Sequence, residues 1–128
     1  MYRAYRSLLR NMGFHNPSIL ELGSGSAVNS LAIARMLKAR SITLVDSNEA
    51  ALEVSKRLVR DSGLDLDVRY VKADIFDLDL DERFDIVHSE GLLEHFEGRD
   101  RTSVFRKHVD HCKDGGVIIL FMSVRSTP

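Results

Sequence analysis

The chain lacks the features that would place it in several broad classes of protein. Its 128 residues include a single cysteine, Cys112, which excludes an internal disulfide. The longest apolar run, residues 116–122, is far too short to cross a bilayer as a helix. Lysine and arginine number 18 against 19 aspartates and glutamates, so the strongly basic balance typical of nucleic-acid-binding proteins is also missing. We therefore expect a cytoplasmic protein without a membrane partner, and the charge balance gives no reason to expect a nucleic-acid partner and does not exclude one.

The chain does have a regular alternation of apolar, strand-like runs with helical patterns. The predicted strands cover residues 18–22, 42–45, 68–71, 84–88 and 117–122. Strands and helices that alternate at this spacing favour an α/β fold, a doubly wound parallel sheet with helices on both faces. With 44% hydrophobic residues, the length suits one domain over residues 1–128. Ligands of such folds bind at the carboxyl ends of the strands.

The first predicted strand runs into a glycine turn that is typical of sites for adenosine-containing cofactors. Residues 19–27 read I-L-E-L-G-S-G-S-A, which is an E-x-G-x-G-x-A pattern. Gly23 and Gly25 can adopt positive φ and leave bare backbone for a ligand. A helix that begins near Ser26 would point free N–H groups at the same space. A dinucleotide fingerprint would need a third glycine at position 28, where the chain has Val28.

Five ordered segments extend this pattern from residue 19 to about residue 122. They are Glu21-Leu-Gly23-Ser-Gly25, Leu44-Val45-Asp46-Ser47, Lys72-Ala73-Asp74-Ile75, residues 84–96 ending in Leu93-Glu94-His95-Phe96, and Lys113-Asp114-Gly115-Gly116. In these segments the chain resembles the class I S-adenosylmethionine-dependent methyltransferases. The resemblance implies a Rossmann-like sheet with strand order 3-2-1-4-5. It also implies that the protein binds S-adenosylmethionine and transfers the methyl group to a small-molecule acceptor.

The resemblance further implies which residues bind the cofactor. The glycine turn would cradle the methionyl part, and Asp46 would accept hydrogen bonds from both ribose hydroxyls. Asp74 would accept from the adenine amino group, the backbone N–H of Ile75 would meet a ring nitrogen, and Leu44 would help to line the adenine slot. The expected cofactor-binding residues are Glu21, Gly23, Ser24, Gly25, Asp46, Ser47, Asp74, Ile75 and Ser89.

The same carboxylates have simpler structural interpretations. An acid after a strand, such as Asp46, is often only a helix N-cap, and Asp74 alone would more often be a turn residue. Glu21 would be costly to desolvate among apolar neighbours, so we expect it at the open end of its strand near a cation. The functional interpretation depends on four such signals that occur in the correct order.

His95 is the candidate catalytic base. It follows the fourth predicted strand, where the acceptor should approach, and histidine can lose or take up a proton near neutral pH. A packed, hydrogen-bonded histidine under the loop is the structural alternative. Tyr2 and Tyr5 would stack on an aromatic acceptor if the first helix folded over the site, although a docking face is the simpler interpretation.

The last predicted helix carries two histidines and the cysteine. His108 and His111 lie three residues apart, but no second pair of ligands stands out, so we expect no metal site. The pattern predicts a helix that begins at Thr102 and has an exposed histidine surface. Its expected inward face consists of Phe105, Val109 and Cys112.

The chain departs from the family pattern at two places. The third glycine is replaced by Ala27, whose methyl group would either fit the first turn of the helix or crowd the cofactor. The sequence stops at Pro128, whereas family members continue with a helix and two further strands. We therefore expect a truncated core without strands six and seven, and a bare edge on strand five that could pair with a second copy in a homodimer.

Two other functions compete with methyl transfer. A non-catalytic module that binds S-adenosylmethionine or regulates a partner would fit the short chain. A nicotinamide-dependent oxidoreductase would share the glycine turn and Asp46, but Val28 and Asp74 count against it.

Overall fold

A computed structural model describes residues 3–25 and 27–122 of the chain. Its five strands form a single sheet in which every neighbouring pair is parallel. The strands are β1 (Ser18–Leu22), β2 (Ser41–Asp46), β3 (Asp67–Lys72), β4 (Phe84–Glu90) and β5 (Cys112–Phe121). Their order is β3-β2-β1-β4-β5, which confirms the predicted fold class and strand order.

Helices cover both faces of the sheet. They are α1 (Arg3–Asn11), α2 (Val28–Leu37), α3 (Glu49–Ser62) and α4 (Gly98–Asp110), with two short 3₁₀ helices at Ile75–Asp77 and Leu93–His95. None of these described helices is long and apolar enough to cross a membrane. Because side chains alternate along a strand, neighbours such as Ile19 and Leu20 of β1 belong to different apolar clusters on opposite faces. Every residue of β1 is buried, so β1 is the centre of the core.

The predicted inward face of α4 is wrong. The helix begins at Gly98 rather than Thr102, and Phe105 and Val109 are 41% and 44% exposed. The buried stripe instead contains Val104 and His108, together with His111 just after the helix. Cys112 does not belong to the helix and begins β5.

Hydrogen bonds explain why the two histidines are buried rather than exposed. In each ring, Nδ1 bonds to the carbonyl oxygen four residues earlier, at 2.9 Å from His108 to Val104 and 2.7 Å from His111 to Lys107. The other ring nitrogen of His111 accepts from the backbone N–H of Leu80 at 3.2 Å. With its polar atoms paired, an imidazole can be buried at little cost.

The first helix and the last strand also differ from their predicted patterns. Among the α1 side chains that the structure describes, Leu9 is buried and Leu8 is exposed, and Met12 just after the helix is also exposed. Tyr2 lies outside the described residues, and the side chain of Tyr5 is likewise not described. The predicted turn at residues 114–116 lies inside β5, where the register with β4 shifts. Among the described strands, β5 pairs only with β4 and is an edge of the sheet.

Candidate functional site at the carboxyl edge of the sheet

A cleft of about 420 Å³ opens where β1, β2 and β4 end. The glycine turn after β1 forms one wall, the tips of β2 and β3 form a second, and the segment after β4 forms the third. This position is the carboxyl edge of the sheet, where parallel α/β folds bind their ligands.

The glycine turn presents backbone to this cleft. Gly23 and Gly25 both line it and have φ of 69° and 50°. The backbone N–H groups of Gly23 and Ser24 donate to the carbonyl of Val45 at 2.8 and 3.0 Å, which ties the turn to β2. A Cβ atom on Gly25 would meet nothing within 4 Å, so the space above it is open to a ligand. Glycine is favoured there because a side chain at this φ is strained.

Ala27, in the third glycine position of the pattern, does not line the cleft. Its φ is 65°, in the left-handed region, and its backbone N–H donates to the carbonyl of Ser24 at 2.8 Å. The residue is 1% exposed and its side chain belongs to the apolar core with Ile19 and Ile33. The alanine therefore strains the backbone by about 1–2 kcal/mol, but its methyl group is buried in the core.

Asp46 lies at the tip of β2 and lines the cleft beside Ser47. One of its carboxylate oxygens accepts from the backbone N–H of Gly25 at 3.4 Å, and the other accepts from that of Asn48 at 2.8 Å. The N-cap of α3 is Asn48, whose side chain accepts from the N–H of Ala50 at 2.8 Å. The simpler interpretation of Asp46 as a helix cap is therefore wrong, and the carboxylate instead connects the glycine turn to β2.

Asp74 and Ile75 follow β3 and also line the cleft. Asp74 accepts from the backbone N–H of Phe76 at 2.9 Å and caps the first 3₁₀ helix, so its predicted turn role and its place at the site occur together. Leu44 is fully buried in the core, and Val45 lines the cleft in its place. The expected role of Leu44 is thus wrong, because adjacent residues of a strand face opposite sides.

The segment after β4 supplies Glu90, His95 and Phe96. His95 ends the second 3₁₀ helix and is exposed at the cleft. Phe96 packs edge-to-face on Phe76, with ring centroids 5.4 Å apart. The sequence analysis did not predict this aromatic wall, although Phe76 and Phe96 directly follow the predicted site residues Ile75 and His95. Glu90 accepts from the side-chain amide of Asn29 at 2.7 Å.

Three residues of the expected cofactor-binding set do not line the cleft. Glu21, Ser24 and Ser89 are 3%, 2% and 2% exposed. The Ser89 hydroxyl bonds to Nε2 of His108 at 2.8 Å. The Ser24 hydroxyl has no hydrogen-bond partner among the described residues.

Glu21 lies under the glycine turn in a buried polar cluster with Ser30 and His88. The Ser30 hydroxyl is 2.5 Å from Oε1 of Glu21 and 2.7 Å from Nε2 of His88. Burial raises the pKa of Glu21 to about 8, against the Ser30 hydrogen bond, and the nearby carboxylates of Glu90 and Asp46 raise it further. Sequence reasoning placed Glu21 near a cation and missed both partners, although β1 and β4 are neighbours in the predicted order.

The chemistry of the cleft fits a cationic, hydroxyl-bearing ligand. Asp46, Asp74 and Glu90 line it, and no lysine or arginine does so among the described residues. Within residues 3–25 and 27–122, no group of three or more histidine, cysteine, aspartate and glutamate side chains could hold a metal ion. The bare glycine backbone and two carboxylates at the strand tips fit an adenosyl group with a sulfonium centre, for which Asp46 would supply ribose acceptors.

Comparisons with known proteins identify the family to which this chain belongs. The methyltransferase domain family matches residues 19–116, most of the chain, and the chain belongs to this family. The ubiquinone biosynthesis O-methyltransferase of Stutzerimonas stutzeri is 30% identical over 110 residues, which are 86% of this chain and 45% of that protein. The chain thus spans about half the length of the curated relatives it matches.

Solved structures agree with the family. The S-adenosylmethionine-dependent methyltransferase SibL, in its apo form, is 28% identical with a TM-score of 0.75 and is matched over 91% of this chain and 33% of its own. Coclaurine N-methyltransferase, bound to N-methylheliamine and S-adenosylhomocysteine, is 26% identical with a TM-score of 0.74, over 91% and 34% of the two chains.

Proposed function

We propose that this domain binds S-adenosylmethionine in the carboxyl-edge cleft and transfers the methyl group to a small-molecule acceptor. The observation that carries the proposal is the convergence of bare glycine backbone with Asp46 and Asp74 on one cleft. Membership of the methyltransferase domain family supports it. So do relatives that are named as O- and N-methyltransferases.

Each part of the cofactor is bound by residues whose chemistry matches it. The backbone of Gly23 and Gly25 receives the methionyl part, and the Asp46 carboxylate accepts from the ribose hydroxyls with Ser47 beside it. Asp74 and Ile75 hold the adenine. Bound there, the cofactor supplies a methyl carbon that its sulfonium activates. Ser24 and Ser89 are buried and do not line the cleft, so they support the cofactor site without forming its surface.

The catalytic work of the protein is alignment and exclusion of water. Correct orientation of the two reactants can contribute about 7–11 kcal/mol to lowering a barrier. The edge-to-face pair of Phe76 and Phe96 forms an apolar wall of the cleft. His95, exposed at the same cleft, takes the proton of a protic acceptor.

Isothermal titration calorimetry with S-adenosylmethionine, S-adenosylhomocysteine and NAD tests the proposal. We expect binding of the two sulfur compounds and none of NAD. Asp46→Ala should weaken binding at least about tenfold, because charge-assisted hydrogen bonds of roughly 1.5–3 kcal/mol are lost. The matched control is Asp61→Ala, which removes an exposed carboxylate whose ion-pair partner is Arg60. Tight binding of NAD without S-adenosylhomocysteine would overturn the proposal.

The role of His95 is tested separately with His95→Gln. In a protein that methylates a phenol or an amine, we expect kcat to fall roughly 10²-fold or more while the Kd for cofactor stays the same. A variant with unaltered kcat would leave His95 a lining residue only.

A second candidate function is that of an interaction module that pairs through β5. The observation in its favour is that β5 has only one described neighbour and is partly exposed along its length. An unpaired edge offers free donors and acceptors to another chain, and a homodimer is the simplest partner. Light scattering that gives twice the mass of the chain would support the dimer, and a strict monomer at high concentration would exclude it.

We also propose that residues 1–128 form one domain and that the protein is cytoplasmic. One sheet with two apolar clusters across the described residues supports the first statement. The balanced charge and single cysteine support the second. A single cooperative unfolding transition and cell fractionation, respectively, would test them.

A further inference from the structure

The buried cluster under the glycine turn joins three different elements. Glu21 of β1 is the register partner of His88 in β4, and Ser30 of α2 lies over both. The Glu21 and His88 side chains are 3% and 0% exposed. Polar groups at this depth are costly unless they are hydrogen-bonded, so the cluster needs a physical explanation.

The protons of Ser30, His88 and Glu21 favour one direction for the hydrogen bonds, in which the acid proton of Glu21 lies on the oxygen that does not accept from Ser30. Ser30 has one hydroxyl proton and two close neighbours, so it donates to one and accepts from the other. Nδ1 of His88 has no partner among the described residues. An unpaired lone pair costs less than an unpaired N–H group, which favours the tautomer with its proton on Nε2. His88 then donates to Ser30, Ser30 donates to Glu21, and both bonds point towards the carboxyl group.

Burial works against ionisation of both Glu21 and His88, which lie at the two ends of this series of hydrogen bonds. Nε2 of His88 and Oε1 of Glu21 are 3.6 Å apart, which is within ion-pair range. Burial nevertheless lowers the pKa of His88 to about 3, with a further contribution from His108, and raises that of Glu21 to about 8. Burial therefore favours the uncharged form of both groups in the free protein.

The charged and titratable groups around the cluster come from every neighbouring element. On the Glu21 side they are Asp46 of β2 and Glu90 of β4, and on the His88 side His108 of α4, with the Phe121 ring of β5 edge-on to His88. Asp46 and Glu90 also line the cleft, so charge in the cleft acts on Glu21. The two carboxylates oppose its ionisation, and a cation placed between them would favour it.

We propose that Ser30 and His88 are positioning residues that orient the buried carboxyl group of Glu21, and that Glu21 releases its proton to solvent when a sulfonium cofactor occupies the cleft. The inference rests on the proposed function, since it needs a cationic ligand in that cleft. Glu21 is then a charge that forms only in the complex. The Ser30 hydroxyl, which His88 orients, donates to Glu21 and stabilises the carboxylate once it has formed.

Proton release can be measured by calorimetry of S-adenosylmethionine binding in buffers of different ionisation enthalpy. At pH 7 we expect release approaching one proton per cofactor bound. Affinity should rise by up to about tenfold per pH unit between pH 6 and 8 and level off above pH 8. S-adenosylhomocysteine lacks the sulfonium charge and should release fewer protons. The amino group of either ligand titrates in all protein variants, so it cancels when variants are compared.

Three variants separate positioning from stability. Glu21→Gln should lose the proton release and most of the pH dependence of affinity. Ser30→Ala removes the donor to Glu21 and should shift the pH dependence upward, with less release at pH 7. The matched control is Ser18→Ala, since Ser18 is another buried serine of the sheet region that donates to a carboxylate, Asp85 at 3.1 Å. It should release as many protons as the unmodified protein.

The outcomes separate this inference from the proposed function. If the unmodified protein and Glu21→Gln bind S-adenosylmethionine with equal proton release, the inference is wrong while the cofactor site stands. If Ser30→Ala and Ser18→Ala both behave like the unmodified protein, Ser30 has no positioning role. If the unmodified protein binds neither S-adenosylmethionine nor S-adenosylhomocysteine, it is the proposed function that fails.

Discussion

The two ends of the sheet each contain a carboxyl group that accepts from a serine, and they treat it in opposite ways. At the amino end, Asp85 accepts from the backbone N–H and the hydroxyl of Ser18 at 2.9 and 3.1 Å. Lys113 and Arg40 lie 3.4 and 3.8 Å from it. At the carboxyl end, Glu21 has the Ser30 hydroxyl and no described lysine or arginine within ion-pair distance.

The pKa of each carboxyl group follows from these surroundings. Burial raises the pKa of Asp85, but the Ser18 hydrogen bonds and the Lys113 ammonium outweigh it and hold the pKa below its usual range. For Glu21 burial prevails. One end of the sheet thus has its charges paired and stabilises the fold, whereas the other keeps carboxylates without cations around an open cleft. The missing cation is what we expect the cofactor to supply.

Replacing one glycine by alanine at each end of the sheet should give the largest difference between the two ends in stability and in cofactor binding. A Cβ on Gly116 would lie 2.7 Å from the carbonyl oxygen of Asp85 and 2.9 Å from Sγ of Cys112. Gly116→Ala should therefore destabilise the fold by about 3 kcal/mol. Gly25→Ala meets no atom and should cost only about 1–2 kcal/mol of backbone strain, yet it should abolish cofactor binding. Urea unfolding and calorimetry check both, and a larger loss of stability in Gly25→Ala would contradict the contrast.

Removal of the amino-end carboxylate should come next in size. Asp85→Ala leaves the backbone N–H of Ser18 without its acceptor and removes the partner of Lys113, at a cost of about 2 kcal/mol. The Kd for S-adenosylhomocysteine should not change, because Asp85 lies at the amino end of the sheet and the cleft lies at the carboxyl end. Urea denaturation with Asp61→Ala as the exposed control measures the first effect. A weakened Kd would show that the two ends are coupled.

The pH dependence of the free energy of unfolding should reveal the raised pKa of Glu21. Between its ordinary pKa of 4.5 and its folded value of about 8, Glu21 binds more proton in the folded state than in the unfolded state. Stability therefore falls as pH rises through this window. Glu21→Gln lacks this loss and should be more stable than the unmodified protein above pH 8 by at least about 1.4 kcal/mol, the equivalent of one pKa unit. His88 titrates in both proteins and cancels. Equal stability of the two at pH 9 would contradict a raised pKa.

Ala27→Gly should have the smallest effect. Glycine relieves the strain of the left-handed backbone, about 1–2 kcal/mol, but it loses a buried methyl group and adds chain entropy to the unfolded state, together of similar size. We expect a change in unfolding free energy below about 1 kcal/mol and an unaltered Kd. A Kd improved tenfold or more would mean that the alanine methyl group does obstruct the cofactor.

The sequence was sufficient for the framework of the fold. Apolar runs of strand length and the helical spacing between them define the five strands, and the resemblance supplied their order. The face of α4 was not predictable, because Val104, Phe105 and Val109 give no single apolar stripe. Its phase is set by His108, which is buried only because Val104 and Ser89 pair with both ring nitrogens. Tertiary hydrogen bonds of this kind leave no trace in hydrophobic periodicity.

Some residues of the candidate site could likewise be predicted from the sequence, and others could not. Asp46 at the tip of β2, and Asp74 and His95 in the segments that follow β3 and β4, could be placed because the carboxyl ends of parallel strands meet at one end of the sheet. Ser30 and His88 could not be placed. Their contact with Glu21 depends on the register of β1 against β4 and on the rotation of α2, and neither follows from local sequence.

The central claim is that the amino and carboxyl ends of the sheet have different functions. Amide chemical shifts test this claim most directly. In ¹H–¹⁵N spectra recorded during titration with S-adenosylhomocysteine, we predict large shifts at Gly23, Gly25 and Asp46. Ser18 and Asp85 should stay unchanged. Shifts concentrated at Ser18 and Asp85, or no shift at saturating ligand, would contradict this account.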